Sequence, residues 1–141
     1  MKKTFLLSLL CLFATVVMAQ SAFQEAPTLN LEPEGAAPKA AWAEETHNFG
    51  EIPQGVPAKI KFVFTNDGDQ ALKISRVKAS CGCTATDYSK EAVAPGEQGY
   101  VMAEYNAYGV GVFHKTITVY TNEENAVKIL RIKGEVMPKS E

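Results

Sequence analysis

From Thr46 onward the chain alternates. In Ala58-Lys59-Ile60-Lys61-Phe62-Val63-Phe64, the side chains of Ile60, Phe62 and Phe64 share one side, and Lys59 and Lys61 take the other. A period of two belongs to a strand with one face in a core and one in water. The same reading places Val101, Ala103 and Tyr105 on one face of a strand over 98–105. It sets Phe113, Ile117 and Val119 against His114, Thr116, Thr118 and Tyr120 in a long strand over 112–121. Leu130, Ile132 and Val136 are in phase in a last strand, with Arg131 and Lys133 out of phase. Leu72 and Ile74 begin another strand whose phase switches at Val77, as a bulge or bend would make it.

The breaks between these runs are turn chemistry. Asn66-Asp67-Gly68-Asp69, Ala94-Pro95-Gly96-Glu97 and Asn122-Glu123-Glu124-Asn125 supply residues that tolerate positive φ or preset a turn, and Gly109-Val110-Gly111 reads as a flexible corner. No window carries the 3.6-residue period of an amphipathic helix. Seven or so short strands between Thr46 and Met137 predict an all-β, immunoglobulin-like antiparallel sandwich. The Cys…Trp…Cys pattern of antibody domains is absent, so the core alone must hold it.

The domain occupies 45–137, followed by a short tail, 138–141. Ahead of it, residues 1–19 have the plan of a secretory signal peptide: Lys2 and Lys3, an apolar run from Phe5 to Val17, and Val17-Met18-Ala19 before a cut between Ala19 and Gln20. The apolar run is shorter than the ~20 residues of a spanning helix, so no transmembrane segment is expected after cleavage. Residues 20–44, with Pro27, Pro33 and Pro38, read as an Ala/Glu/Pro-rich tether. Trp42 at its end is expected to pack on the domain edge. Removing 1–19 takes the formal charge from −2 to −4, because Lys2 and Lys3 leave. A net acidic domain argues against nucleic acid as a partner. Export predicts a periplasmic or extracellular location, where disulfides persist.

Taken together, His47-Asn48-Phe49-Gly50-Glu51-Ile52, Phe62-Val63-Phe64-Thr65-Asn66, Ala79-Ser80-Cys81-Gly82-Cys83-Thr84, Ala94-Pro95-Gly96 and Phe113 through Asn122 carry a resemblance. The chain resembles an exported bacterial family of Ig-like domains of unknown function with a Cys-Gly-Cys-Thr motif. That family is similar in plan to major-sperm-protein and hydin-type Ig-like domains. The resemblance implies a β-sandwich and export, and assigns no substrate or catalytic residue.

With Cys11 inside the cleaved segment, thiol chemistry in the mature chain belongs to Cys81 and Cys83. Three readings stand side by side. One is a structural disulfide. It closes a ring of three residues and is worth only ~1.6 kcal/mol by chain entropy. In an extended strand its Cα atoms would stand ~6.7 Å apart, close to the upper limit for bridging, unless Gly82 bends the backbone. The second is a redox pair, since strained and exposed disulfides exchange readily. It lacks the helix N-terminus that lowers a thiol pKa in the usual Cys-X-X-Cys motif. The third is a soft-metal site for Cu(I), or Zn(II), completed by His114 or by His47, Met102 or Met137.

Other chemistry is missing from the pattern. No Ser/His/Asp set is grouped, and Gly109-Val110-Gly111 lacks the flanking pattern and basic residue of a phosphate loop. Glu44-Glu45 and Glu123-Glu124 read as solvated surface. The expectation is therefore an exported, non-enzymatic binding or structural module without a cofactor, meeting a protein partner of the cell envelope at a sheet edge or end loop. Its alternative is thiol-redox or copper handling through Cys81 and Cys83.

Overall fold

The computed structural model describes residues 35–139, all of it strand, turn and loop. Eight strands follow in order: β1 (Ala40–Trp42), β2 (Thr46–Pro53), β3 (Ala58–Asn66), β4 (Ile74–Ala79), β5 (Thr84–Tyr88), β6 (Gln98–Tyr105), β7 (Gly111–Thr121) and β8 (Val127–Met137). They form two four-stranded sheets, β1-β3-β6-β5 and β2-β8-β7-β4. The expected signal peptide, its cut at Ala19/Gln20 and the first part of the tether lie outside the described residues. Within the described residues no helix is long and apolar enough to cross a membrane.

The alternation read from the sequence is what makes the core. Phe62, Phe64, Val101, Ala103 and Tyr105 come from one sheet. Ile74, Phe113, Ile117, Val119, Leu130, Ile132 and Val136 come from the other, and all are buried. Each large apolar side chain withdrawn from water contributes roughly 1.5–3 kcal/mol. Tyr105 stacks on Phe113 across the two sheets, with centroids 4.2 Å apart. The phase switch at Val77 is a bulge. Ile74 pairs with Thr121 and Arg76 with Tyr120, so Ser75 is the extra residue and Val77 turns back to pack on the core.

Two expectations are corrected. The tether does not reach residue 44 as unpaired chain, because Ala40–Trp42 pair with Phe64–Asn66 of β3. Pro38 stops short of the paired residues, so no ladder bond is lost to it, and Trp42 gains apolar contact with Phe64. The sheets are also not wholly antiparallel. β2 runs parallel to β8, with Thr46 beside Arg131 and Ile52 beside Val136. A parallel pair needs a long connection, and here the rest of the sandwich is that connection.

One polar residue belongs to the core. Asn66 has no exposed surface. Its Nδ2 donates to the carbonyls of Gln70 (2.7 Å) and Val93 (2.9 Å). Its Oδ1 accepts from Gly68 N (3.1 Å) and Lys39 N (3.4 Å). The Asn66-Asp67-Gly68-Asp69 turn is thus sewn both to β1's approach and to the segment before β6. Gly68 is needed there, because a Cβ would collide with the carbonyl oxygen of Ala37 and the backbone of Pro38 and Lys39.

Candidate functional site

The Cys-Gly-Cys segment is a corner. β4 ends at Ala79 on the edge of one sheet and β5 begins at Thr84 on the edge of the other. Residues 80–83 carry the chain across. Ser80 N donates to Thr116 O at 2.9 Å, and Thr116 N donates to Ser80 Oγ at 3.1 Å. On the far side, Asn106 N donates to Cys83 O at 3.0 Å. The turn brings the Cα atoms of Cys81 and Cys83 to 5.2 Å, and the two sulfurs are bonded. An extended strand would hold them farther apart. Gly82 stands open to solvent with no neighbour where a Cβ would be. Cys83 packs against the core. Cys81 Sγ lies 3.7 Å from Thr84 Oγ1. A strand follows the pair, so no helix N-terminus faces the sulfurs.

The remaining sequence candidates are dispersed. His114 sits exposed on the outer face of β7, in register with Lys133 of β8. His47 Nδ1 is 3.1 Å from Glu44 Oε1, and its ring meets Phe49 edge-on at 4.7 Å. Met102 lies in β6 between Lys61 and Asp87, and Met137 ends β8. Among the described residues no three His, Cys, Asp or Glu side chains gather as ligands.

A feature that the sequence reading passed over lies at the same end of the sandwich. Gln54 N donates to Met137 O (2.9 Å), Gly55 N to Ala107 O (2.9 Å), and Gln54 Nε2 to Tyr108 O (3.0 Å). These bonds join the β2–β3 loop, the β6–β7 loop and the end of β8. Asn106, in the same β6–β7 loop, is the residue that holds Cys83. Ala107 is fully buried with φ of 54°, a left-handed conformation uncommon outside glycine. It anchors the loop from below. On these joined segments Val56, Tyr108, Val110, Val112 and Met137 are 52%, 71%, 53%, 69% and 40% exposed. Only the string Tyr108-Gly109-Val110-Gly111-Val112 hinted at this, apolar residues between glycines with no alternation to bury them.

Residues 40–136 match the family described as "Protein of unknown function (DUF1573)". No curated protein matches the chain. Solved structures do. A protein of unknown function from Porphyromonas gingivalis W83 is 16% identical with a TM-score of 0.62, over 75% of this chain and 51% of that one. The human CEP192 ASH/PapD-like domain 7 is 10% identical with a TM-score of 0.60, over 74% and 89%. The VesB protease of Vibrio cholerae is 18% identical with a TM-score of 0.58, over 68% and 31%. The chain spans about half the length of the Porphyromonas structure and under a third of VesB. At these identities the likeness is one of fold.

Proposed function

The chain belongs to this DUF1573 family, and from that premise we propose that it is an exported, non-enzymatic Ig-like module that binds a protein of the cell envelope through its apolar end. The observation that carries the reading is the gathering of Val56, Tyr108, Val110, Val112 and Met137, all exposed, on segments hydrogen-bonded to one another. Single exposed apolar residues are ordinary, whereas a contiguous group marks an interaction surface. Tyr108 is the natural anchor, a rigid amphipathic ring at the tip of the end. The bonded loops beneath it mean that little order has to be gained on binding.

A photo-crosslinking residue at position 108 tests this in the producing cell. The expected result is a discrete adduct with an envelope protein from 108 and none from Glu124, in the turn at the other end. No adduct, or equal labelling from both positions, overturns it.

A second reading, thiol exchange at Cys81–Cys83, is favoured by one observation: Thr84 Oγ1 at 3.7 Å from Cys81 Sγ is positioned to donate to a thiolate there. Equilibration with glutathione, quenched by thiol trapping and weighed as intact protein, tests it. Half-reduction at the ratios of an oxidising compartment supports exchange. A pair that stays oxidised in excess reduced glutathione overturns it.

A further inference from the structure

The strand registers arrange the outer face of the β2-β8-β7-β4 sheet in rows. Arg76, Tyr120 and Val127 form one row, and Lys78, Thr118 and Ile129 the next. Thr116, Arg131 and Thr46 follow, then His114, Lys133 and Asn48, and last Val112, Glu135 and Glu51. Rows follow one another at the two-residue rise of a strand, ~6.8 Å. Four successive rows thus each carry a lysine or arginine, over a run of ~20 Å, on a chain whose net charge is −2.

These cations differ from those on the opposite sheet. There Lys59 pairs with Glu104 at 3.1 Å, Lys61 lies over the Tyr100 ring at 4.3 Å, and Lys90 pairs with Asp87 at 3.6 Å. Among the described residues, Arg76, Lys78, Arg131 and Lys133 have no carboxylate partner. Arg131 and Lys133 border a shallow depression of about 380 Å³ with Thr46, His114 and Thr116. The centre of the face is therefore polar, positive and unneutralised; Glu51 and Glu135 close it at one end, and the exposed Val127 and Ile129 lie toward the other.

The spacing selects among anionic partners. Of the two aromatic rings in these rows, Tyr120 is covered by the Arg76 guanidinium at 4.4 Å and His114 is a single imidazole three rows away, so no series of open rings is offered for stacking successive sugars or bases. An extended polypeptide with acidic residues at every second position presents carboxylates on one side at the same ~6.8 Å interval as Arg76 to Lys78 along β4 and Arg131 to Lys133 along β8, and it would cross β7 obliquely to meet both pairs. We propose that the outer face of the β2-β8-β7-β4 sheet is a docking surface for an extended acidic polypeptide segment, held by Arg76, Lys78, Arg131 and Lys133. It is distinct from the apolar end. Exposed ion pairs are individually weak and screened by salt, so binding is modest and falls as salt rises.

The test uses a fluorescein-labelled peptide of five Glu-Thr repeats, read by anisotropy on the intact domain. Saturable, salt-sensitive binding is expected. Arg131→Gln with Lys133→Gln weakens it tenfold or more. Lys59→Gln with Lys61→Gln, on the other sheet, changes it less than twofold, and Tyr108→Ser leaves it unchanged. A peptide of five Glu followed by five Thr binds several-fold more weakly. Equal losses in the two double variants, equal binding of the two peptides, or tighter binding of polyuridylate or of anionic lipid vesicles overturns the proposal.

Discussion

The indole of Trp42 lies on the ring of Phe64, centroids 4.9 Å apart and planes tilted by 46°. Through this contact a three-residue strand ahead of the main alternating run becomes part of the sandwich. Trp42 is half-buried, so truncation removes less than a fully enclosed ring would. Trp42→Ala is expected to cost about 2–3 kcal/mol, below the 3–5 typical of core aromatics. A thermal scan should show the midpoint falling by roughly 10–20 °C for a domain of this size.

Asn66 is the polar keystone of the β3–β4 turn. Asn66→Leu strands the Gln70 carbonyl and the amides of Lys39 and Gly68 without their partner. At about 1–3 kcal/mol for each buried group left unpaired, a loss of at least ~3 kcal/mol is expected in urea unfolding. Asn66→Asp should be of similar severity, because its second oxygen would face the carbonyls of Gln70 and Val93 where an NH₂ now donates.

Gly99 sits directly across the ladder from Phe64. A Cβ there would come within 2.8 Å of Phe64 Cε1 and of Val93 Cγ2. Gly99→Ala is expected to destabilise by about 1–3 kcal/mol through overpacking. Phe64→Leu removes the ring and opens the space. The double variant should therefore lose less than the sum of the two single losses, a coupling that a double-mutant cycle measures directly.

The disulfide spans only Gly82, and its contribution is bounded by that short ring. Cys81→Ser with Cys83→Ser is expected to lower stability by about 1–2 kcal/mol. The backbone bonds from Ser80 and Asn106 persist without it, so β4 and β5 should keep their amide protection in hydrogen exchange. Loss of protection across both strands would show that the bond, not the corner, holds the two edges.

Strands whose side chains alternate cleanly were legible. Ile60-Lys61-Phe62 declares its two faces, and the out-of-phase Val77 declares a bulge because a core position cannot be left empty. β5 was not separately legible: in Thr84-Ala85-Thr86-Asp87-Tyr88 only Thr84 is buried, and its place comes from pairing with β6. β1 was hidden by neighbouring prolines. Nothing in Thr46 or Arg131 announces that their strands lie side by side in parallel, since pairing partners are set by the global packing. The basic face was hidden for a related reason. Lys78 and Arg131 are far apart in the chain, and a net charge adds them to acids that the fold puts elsewhere. The apolar end escaped because loops carry no period.

The parallel pairing of β2 with β8 has a temporal consequence. A ribosome or an export channel delivers the chain from its N-terminus, and among the described residues β2 is an edge strand whose one sheet neighbour is β8. Thr46 therefore waits for Arg131, and β2 finds its sheet partner only when β8 has been delivered. A partial chain that ends before β7 holds every strand of the β1-β3-β6-β5 sheet but not the sheet that covers its apolar face. For a protein proposed to be exported, this ordering acts as a clock: the sandwich closes only once β8 has been delivered.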